Sequence, residues 1–252
     1  VGGRDSDGHL ALQNSILRHG SSYGLNIRGN SNLTNSLNNT YRDNAEGPVK
    51  ASARMIHYLD GLSSYSGNKN DNDFIFVDRN VSAGEPAIGT NDTRTWVALD
   101  VPYRFSESMR IENSTIRIEA GAEFEFAQNQ SLEFYAGATL IANGTTAEPI
   151  TFTGVEKIAG YWSGIQFATL TDNQMNHVII EYGGGRRVDL LEPATNLLVG
   201  GSNQITGRLT LRDSIIRNSK GLGLLVLPGS ITNPDIAASN QFSNNQERDF
   251  DL

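Results

Sequence analysis

Residues 116–152 read IRIEAGAEFEFAQNQSLEFYAGATLIANGTTAEPITF. Apolar residues recur there at alternate positions in five pairs: Ile116/Ile118, Phe124/Phe126, Leu132/Phe134, Leu140/Ala142 and Ile150/Phe152. Each pair marks a short strand with one buried face. Successive pairs start 8, 8, 8 and 10 residues apart, which leaves no room for helices between them. Small or turn-forming residues punctuate the gaps at Gly121-Ala122, Gly137-Ala138 and Asn143-Gly144. A chain that turns a corner this often winds into coils, and three such strands make a rung of about 24 residues. The expected fold is all-β: a right-handed parallel β-helix, with Phe124 and Phe126 facing in and Glu123 and Glu125 facing out.

An antiparallel sandwich also produces short strands at ~8–12-residue spacing, so the pattern alone does not separate the two folds. An internal repeat does. Gly8-His-Leu-Ala-Leu-Gln-Asn-Ser-Ile-Leu-Arg18 returns as Gly207-Arg-Leu-Thr-Leu-Arg-Asp-Ser-Ile-Ile-Arg217, with six identities in eleven at an offset of 199. Val1-Gly-Gly3 matches Val199-Gly-Gly201, and Asn39-Thr-Tyr-Arg-Asp-Asn44 parallels Asn240-Gln-Phe-Ser-Asn-Asn245. Residues 1–59 are therefore expected to be the last coils of one unit of about 200 residues and 95–252 most of a second, in one continuous solenoid. Residues 60–94, rich in Ser, Asn, Asp and Gly, form a loop-rich connection interrupted by the strand-like Phe74-Ile-Phe-Val77. The start Val1-Gly2-Gly3 and the repeat suggest a slice of a longer protein with further copies of the unit.

The 252 residues carry 20 Lys+Arg against 28 Asp+Glu, a net charge of -8, which disfavours nucleic acid or an anionic membrane as partner. The absence of cysteine excludes disulfides, thiolate metal sites and a thiol nucleophile. No stretch approaches the ~18–20 apolar residues of a membrane span. Asn32, Asn113 and Asn143 begin Asn-x-Ser/Thr triplets, for which chance in so Asn-rich a chain is the plainer account.

Ala147-Glu-Pro-Ile-Thr-Phe-Thr-Gly154, Gly160-Tyr-Trp-Ser-Gly-Ile-Gln-Phe167 and Val178-Ile-Ile-Glu-Tyr-Gly-Gly-Gly185, with Thr95-Trp96 and Leu99-Asp-Val-Pro-Tyr103 before them, resemble bacterial right-handed parallel β-helix repeat proteins of the pectate-lyase-like superfamily. The resemblance implies a secreted or cell-surface location, and the repetition of a unit of about 200 residues favours a stalk or adhesive role. Glycans or another surface protein would be the partners. It says little of activity, because one fold hosts many functions. The marks of its best-known enzymes are missing: there is no paired-Asp run, no Gly-His-Gly and no Trp-x-Asp-His. A polysaccharide lyase or glycoside hydrolase on the same scaffold is the alternative.

Three residue sets could carry chemistry. Glu119, Glu123, Glu125 and Glu133 place carboxylates in or near consecutive strands, where a glycosidic acid/base pair or a solvated acidic face would both put them. His177 and Glu181 flank Val178/Ile180 and are expected on one strand face. With Tyr161, Trp162, Tyr182, Arg186 and Arg187 they form a candidate glycan-binding set, in which rings stack on sugars and guanidinium groups bond hydroxyls or acids. In Asn68-Lys-Asn-Asp-Asn-Asp73, Asp71 and Asp73 offer hard oxygen ligands suited to calcium, or simply a polar turn.

Overall fold

A computed structural model describes residues 8–28, 31–81, 85–189 and 192–252. The period-two stretch sits as its pattern requires: all ten apolar residues of the five pairs are buried. Their strands fall in turn into three parallel sheets. A long nine-stranded sheet runs from Tyr23–Ile27 through Gly47–Ser52, Ile75–Asp78, Tyr103–Phe105, Glu123–Phe126, Ile150–Gly154, Val178–Glu181 and Ile215–Arg217 to Gln241–Ser243. A front sheet stacks Met109–Glu112, Ser131–Tyr135, Gly164–Ala168, Thr195–Val199, Leu222–Val226 and Arg248–Asp251. A side sheet stacks Thr93–Trp96, Thr115–Ile118, Thr139–Asn143, Gln174–Asn176, Arg208–Arg212 and Ile231–Thr232. The strands of these sheets pair in parallel, as in Ile116↔Leu140 and Phe124↔Phe152, so the molecule is a parallel β-helix.

The core is a set of columns parallel to the helix axis. Strands lie about 4.8 Å apart, so identical inward positions place one ring above the next at stacking distance. Tyr103, Phe124 and Phe152 form one such column, with centroids 5.3 Å apart at each step. Phe105, Phe126 and Trp162 form another, at 5.2 and 4.4 Å. Near the start of the chain, Tyr41 and Tyr65 stack at 5.2 Å.

The corners obey a rule that alternation cannot reveal. A short strand can leave and re-enter the coil within one residue only where that residue adopts a left-handed conformation, which Asn, Asp and Gly tolerate best. Pairs of such residues five apart bracket successive strands: Asn14 and His19, Asn38 and Asp43, His177 and Tyr182, Asp213 and Asn218, all with φ between 48° and 62°. Beside them, buried and half-buried Asn side chains bond one rung to the next. Asn44 accepts from the Gly20 N–H at 3.0 Å and donates to the Leu17 carbonyl at 3.1 Å. Asn68 does the same for Asn44 N–H and the Tyr41 carbonyl, and Asn240 and Asn245 for Ser214 and Ser219. The internal repeat is thus a repeat of corners. Asn39 and Asn44 hold the first unit as Asn240 and Asn245 hold the second.

The two units are out of phase by one sheet. Tyr23–Ile27 and Gly47–Ser52 take the places in the repeat of the front-sheet strands Leu222–Val226 and Arg248–Asp251, yet they belong to the long sheet. The change is made at Ile75–Asp78, which pairs with Gly47–Ser52 on one side and with Tyr103–Phe105 on the other. Residues 60–94 therefore supply this strand and the start of Thr93–Trp96 of the side sheet as well as loops.

Candidate functional site

Rung length shows where the coil carries more than it needs. The pairing offset is 24 residues from Ile116 to Leu140 but 33 from Leu132 to Ile165 and 36 from Ile179 to Ile215. The extra residues stand at the edges of the front sheet, at 155–163, 182–189 and 192–194 on one side and 200–207 on the other. Excursions on a rigid scaffold are where binding groups are placed. Here the excursions meet: the Asp189 carboxylate accepts the Ser202 N–H at 2.6 Å.

Beneath them the outward ladder of the front sheet reads Arg110, Glu133, Gln166, Leu198 and Leu225. Gln166 is fully buried, accepting from the Tyr135 hydroxyl at 2.9 Å and donating to the Gly200 carbonyl at 2.9 Å. Leu198 and Leu225 are buried too, in a small apolar cluster with Leu222 on the outer side of the sheet. The open part of the face lies one rung back, in a recess of about 240 Å³ lined by Ser108, Ser131, Glu133, Ser163, Arg186 and Arg187. Burial pushes the Glu133 carboxyl up from its ordinary pKa, against the Ser131 hydroxyl, which donates to it at 2.5 Å, and the Arg110 charge. Asp189 pushes it further up. Arg110 lies over the Tyr135 ring at 4.8 Å and pairs with Glu112.

The candidate glycan-binding set is scattered by this architecture. Arg186 and Arg187 reach the recess and stand exposed over Glu133 rather than Glu181. Trp162 is fully buried in the aromatic column against Phe126, its indole N–H donating to the Glu181 carbonyl at 2.8 Å. That corrects its expected place: it is a core ring, with no face for a ligand. Glu181 is also buried, held by Arg217 Nε at 2.7 Å and the Thr153 hydroxyl at 3.2 Å. His177 is not on its strand face but at the corner before it, because φ of 48° ends the side-sheet strand there. Tyr161 and Tyr182 come together at the edge of the long sheet, where the Tyr161 N–H bonds the Tyr182 carbonyl at 3.0 Å.

The acidic set divides likewise. Glu125 faces outward as expected but is buried between the Arg104 guanidinium, Nε at 2.9 Å, and Lys157, Nζ at 3.6 Å. Its neighbour on the same ladder is Thr153, and the next is Glu181. The two glutamates therefore stand two rungs, roughly 9.6 Å, apart along the sheet, and each has its own arginine.

The calcium expectation turns on Asp71 and Asp73. Asp73 spends both oxygens on the Gly67 and Asn68 N–H groups, at 3.0 and 2.7 Å, so it closes a turn. Asp71 lies exposed beside it in a left-handed conformation. Among the described residues no group of three or more His, Asp or Glu is placed to hold a metal ion. Ser131, Ser163, Gln166 and Asp189 escaped the sequence reading. Only the lengthening of the rungs, visible once the register is known, points to them. No family model, no curated protein and no solved structure matches the chain, so the geometry of the coil and its surface carries the functional argument.

Proposed function

We propose that the chain is a non-catalytic β-helix module of a bacterial secreted or cell-surface protein. It acts as a stalk, with glycan contacts at the recess under Arg186 and Arg187. One observation carries this reading. The groups that could have formed a catalytic set are absorbed by the scaffold or dispersed: Trp162 in the core, Glu125 and Glu181 each locked by an arginine two rungs apart, His177 at another corner. A stacked coil with ion-paired outer ladders is a rigid spacer, since each rung needs only its neighbours. Two exposed guanidinium groups over a serine-lined recess suit hydroxyls or acids of a polysaccharide chain. The test is a glycan-array screen on the full chain beside mass spectrometry of the incubated glycans. Binding that falls about tenfold in an Arg186→Ala, Arg187→Ala variant, without new products, is expected. Cleavage products would replace this reading with a carbohydrate-active enzyme.

A further inference from the structure

A second cleft lies on the opposite side of Val178–Glu181, where the side sheet turns into the long sheet. Four successive corners stack there. Between Asn143 and Ile150 the chain spends residues 144–149, and between Thr232 and Gln241 it spends 233–240. The two corners between them are short: His177 alone, then Asp213 and Ser214. Two long corners thus wall a notch whose floor is two tight ones. The cleft measures about 330 Å³.

Its lining is unusual for this molecule. Several acidic side chains elsewhere on the surface carry an arginine partner, as in Arg104–Glu125, Arg217–Glu181, Arg208–Asp172 and Arg212–Asp235. In the notch, the Asp213 carboxylate, the His177 ring and the Gln241 amide converge without a side-chain partner among the described residues. Ile179, Ile215 and Pro149 add an apolar wall. The internal repeat supplies a control. The counterpart of Asp213 in the first unit is Asn14, whose carbonyl oxygen accepts from the Asn38 amide one rung on, at 2.6 Å. That corner is closed by its own ladder. In the second unit Ser239 takes the place of Asn38, and the polar groups are left facing out.

We propose that this notch binds a neutral pyranose unit of a glycan. Asp213 and Gln241 bond neighbouring hydroxyls, His177 bonds a third, and Ile179, Ile215 and Pro149 pack on the C–H face of the ring. A carboxylate accepting from hydroxyls beside an apolar wall suits a polyol. The absence of Lys and Arg from the lining disfavours an anionic sugar. The site is separate from the Arg186 recess and does not depend on it.

The experiment is saturation-transfer NMR on the full chain with methyl hexosides at about 10 mM, above the ~1 mM Kd expected of a few hydrogen bonds and one apolar contact. Asp213→Asn and His177→Asn keep residues that accept a left-handed corner, so the coil is preserved while the ligand groups change. Expected, in the Arg186→Ala, Arg187→Ala background that takes the recess out of play, are transfer to the sugar C–H protons and a further loss of affinity on the order of tenfold when Asp213→Asn is added. Absence of transfer from every hexoside would overturn the proposal. So would transfer indifferent to both corner variants, or transfer lost with the two arginines, which would put the sugar in the recess.

Discussion

The rungs at 8–52 and 207–251 share a sequence pattern and a corner geometry but differ in how completely their polar groups are used. In the first unit Asn44 is buried and ties three rungs, bonding Gly20, Leu17 and Asn68. Its counterpart Asn245 makes the same two bonds one rung back, to the Ser219 N–H and the Ile216 carbonyl. Asn14 and Asn38 close a side-chain ladder where Asp213 and Ser239 leave one open. The difference shows that the corner asparagines form a layer separate from the apolar columns. The columns define the coil, and the corner layer can be varied locally without changing it.

The largest effect should come from the layer the two units share. Phe126→Asp buries a carboxylate between Phe105 and Trp162, where no cation or donor reaches it. An unpaired buried charge costs several kcal/mol, so the variant should lose its cooperative melt by circular dichroism. An unchanged Tm would mean that the inward phase is misassigned. Next comes the corner layer. Asn44→Ala strands the part-buried Gly20 N–H and Leu17 carbonyl and should cost about 1–3 kcal/mol. Urea titration measures the cost, and a loss below about 0.5 kcal/mol would refute the idea that the corner asparagines carry a layer of their own.

The junction between the units should respond to acid. His57 sits there with its Nδ1 3.2 Å from Arg94, whose guanidinium also holds Asp92 at 2.7 Å and the Arg54 carbonyl. Burial, then the Arg94 charge, lowers the His57 pKa to about 4 from the ordinary 6.5. The folded chain thus keeps His57 neutral where the unfolded chain takes up a proton. Stability should be full above pH 6.5, fall as pH drops toward 4, and level off below that. Because the ring is partly exposed, the loss from this group should be about 1–3 kcal/mol. Urea titrations at pH 7 and pH 4.5 test it, with His57→Gln expected to flatten that part of the slope.

How much of this was legible beforehand follows from which layer carries it. The columns were: Phe124, Phe126, Leu132 and Phe134 point inward as alternation requires, because a period of two survives any choice of corner. The corners were not, because one residue at positive φ re-aims everything after it, and His177 looked like part of a strand. The spacing of five between Asn14 and His19, Asn38 and Asp43, Asp213 and Asn218 held the clue. Partners across rungs were hidden for another reason. Glu125 meets Arg104 and Glu181 meets Arg217 only because of coil lengths of 21 and 36 residues, which no local pattern specifies.

The smallest expected effect sharpens the comparison most. Asp213→Asn restores to the second unit the residue type that the first has at Asn14. Asp213 is exposed, has φ of 51°, and makes no side-chain bond among the described residues. Asn accepts that conformation as readily as Asp, and Ser239 offers no amide to rebuild the ladder. The change in stability should therefore stay within about 0.5 kcal/mol, measured by thermal melts at pH 7. A clear loss would mean that the carboxylate already carries a structural load and that the corner is not open. A clear gain would mean that the second unit trades stability for a charge in the notch, as a binding corner does and a purely structural one does not.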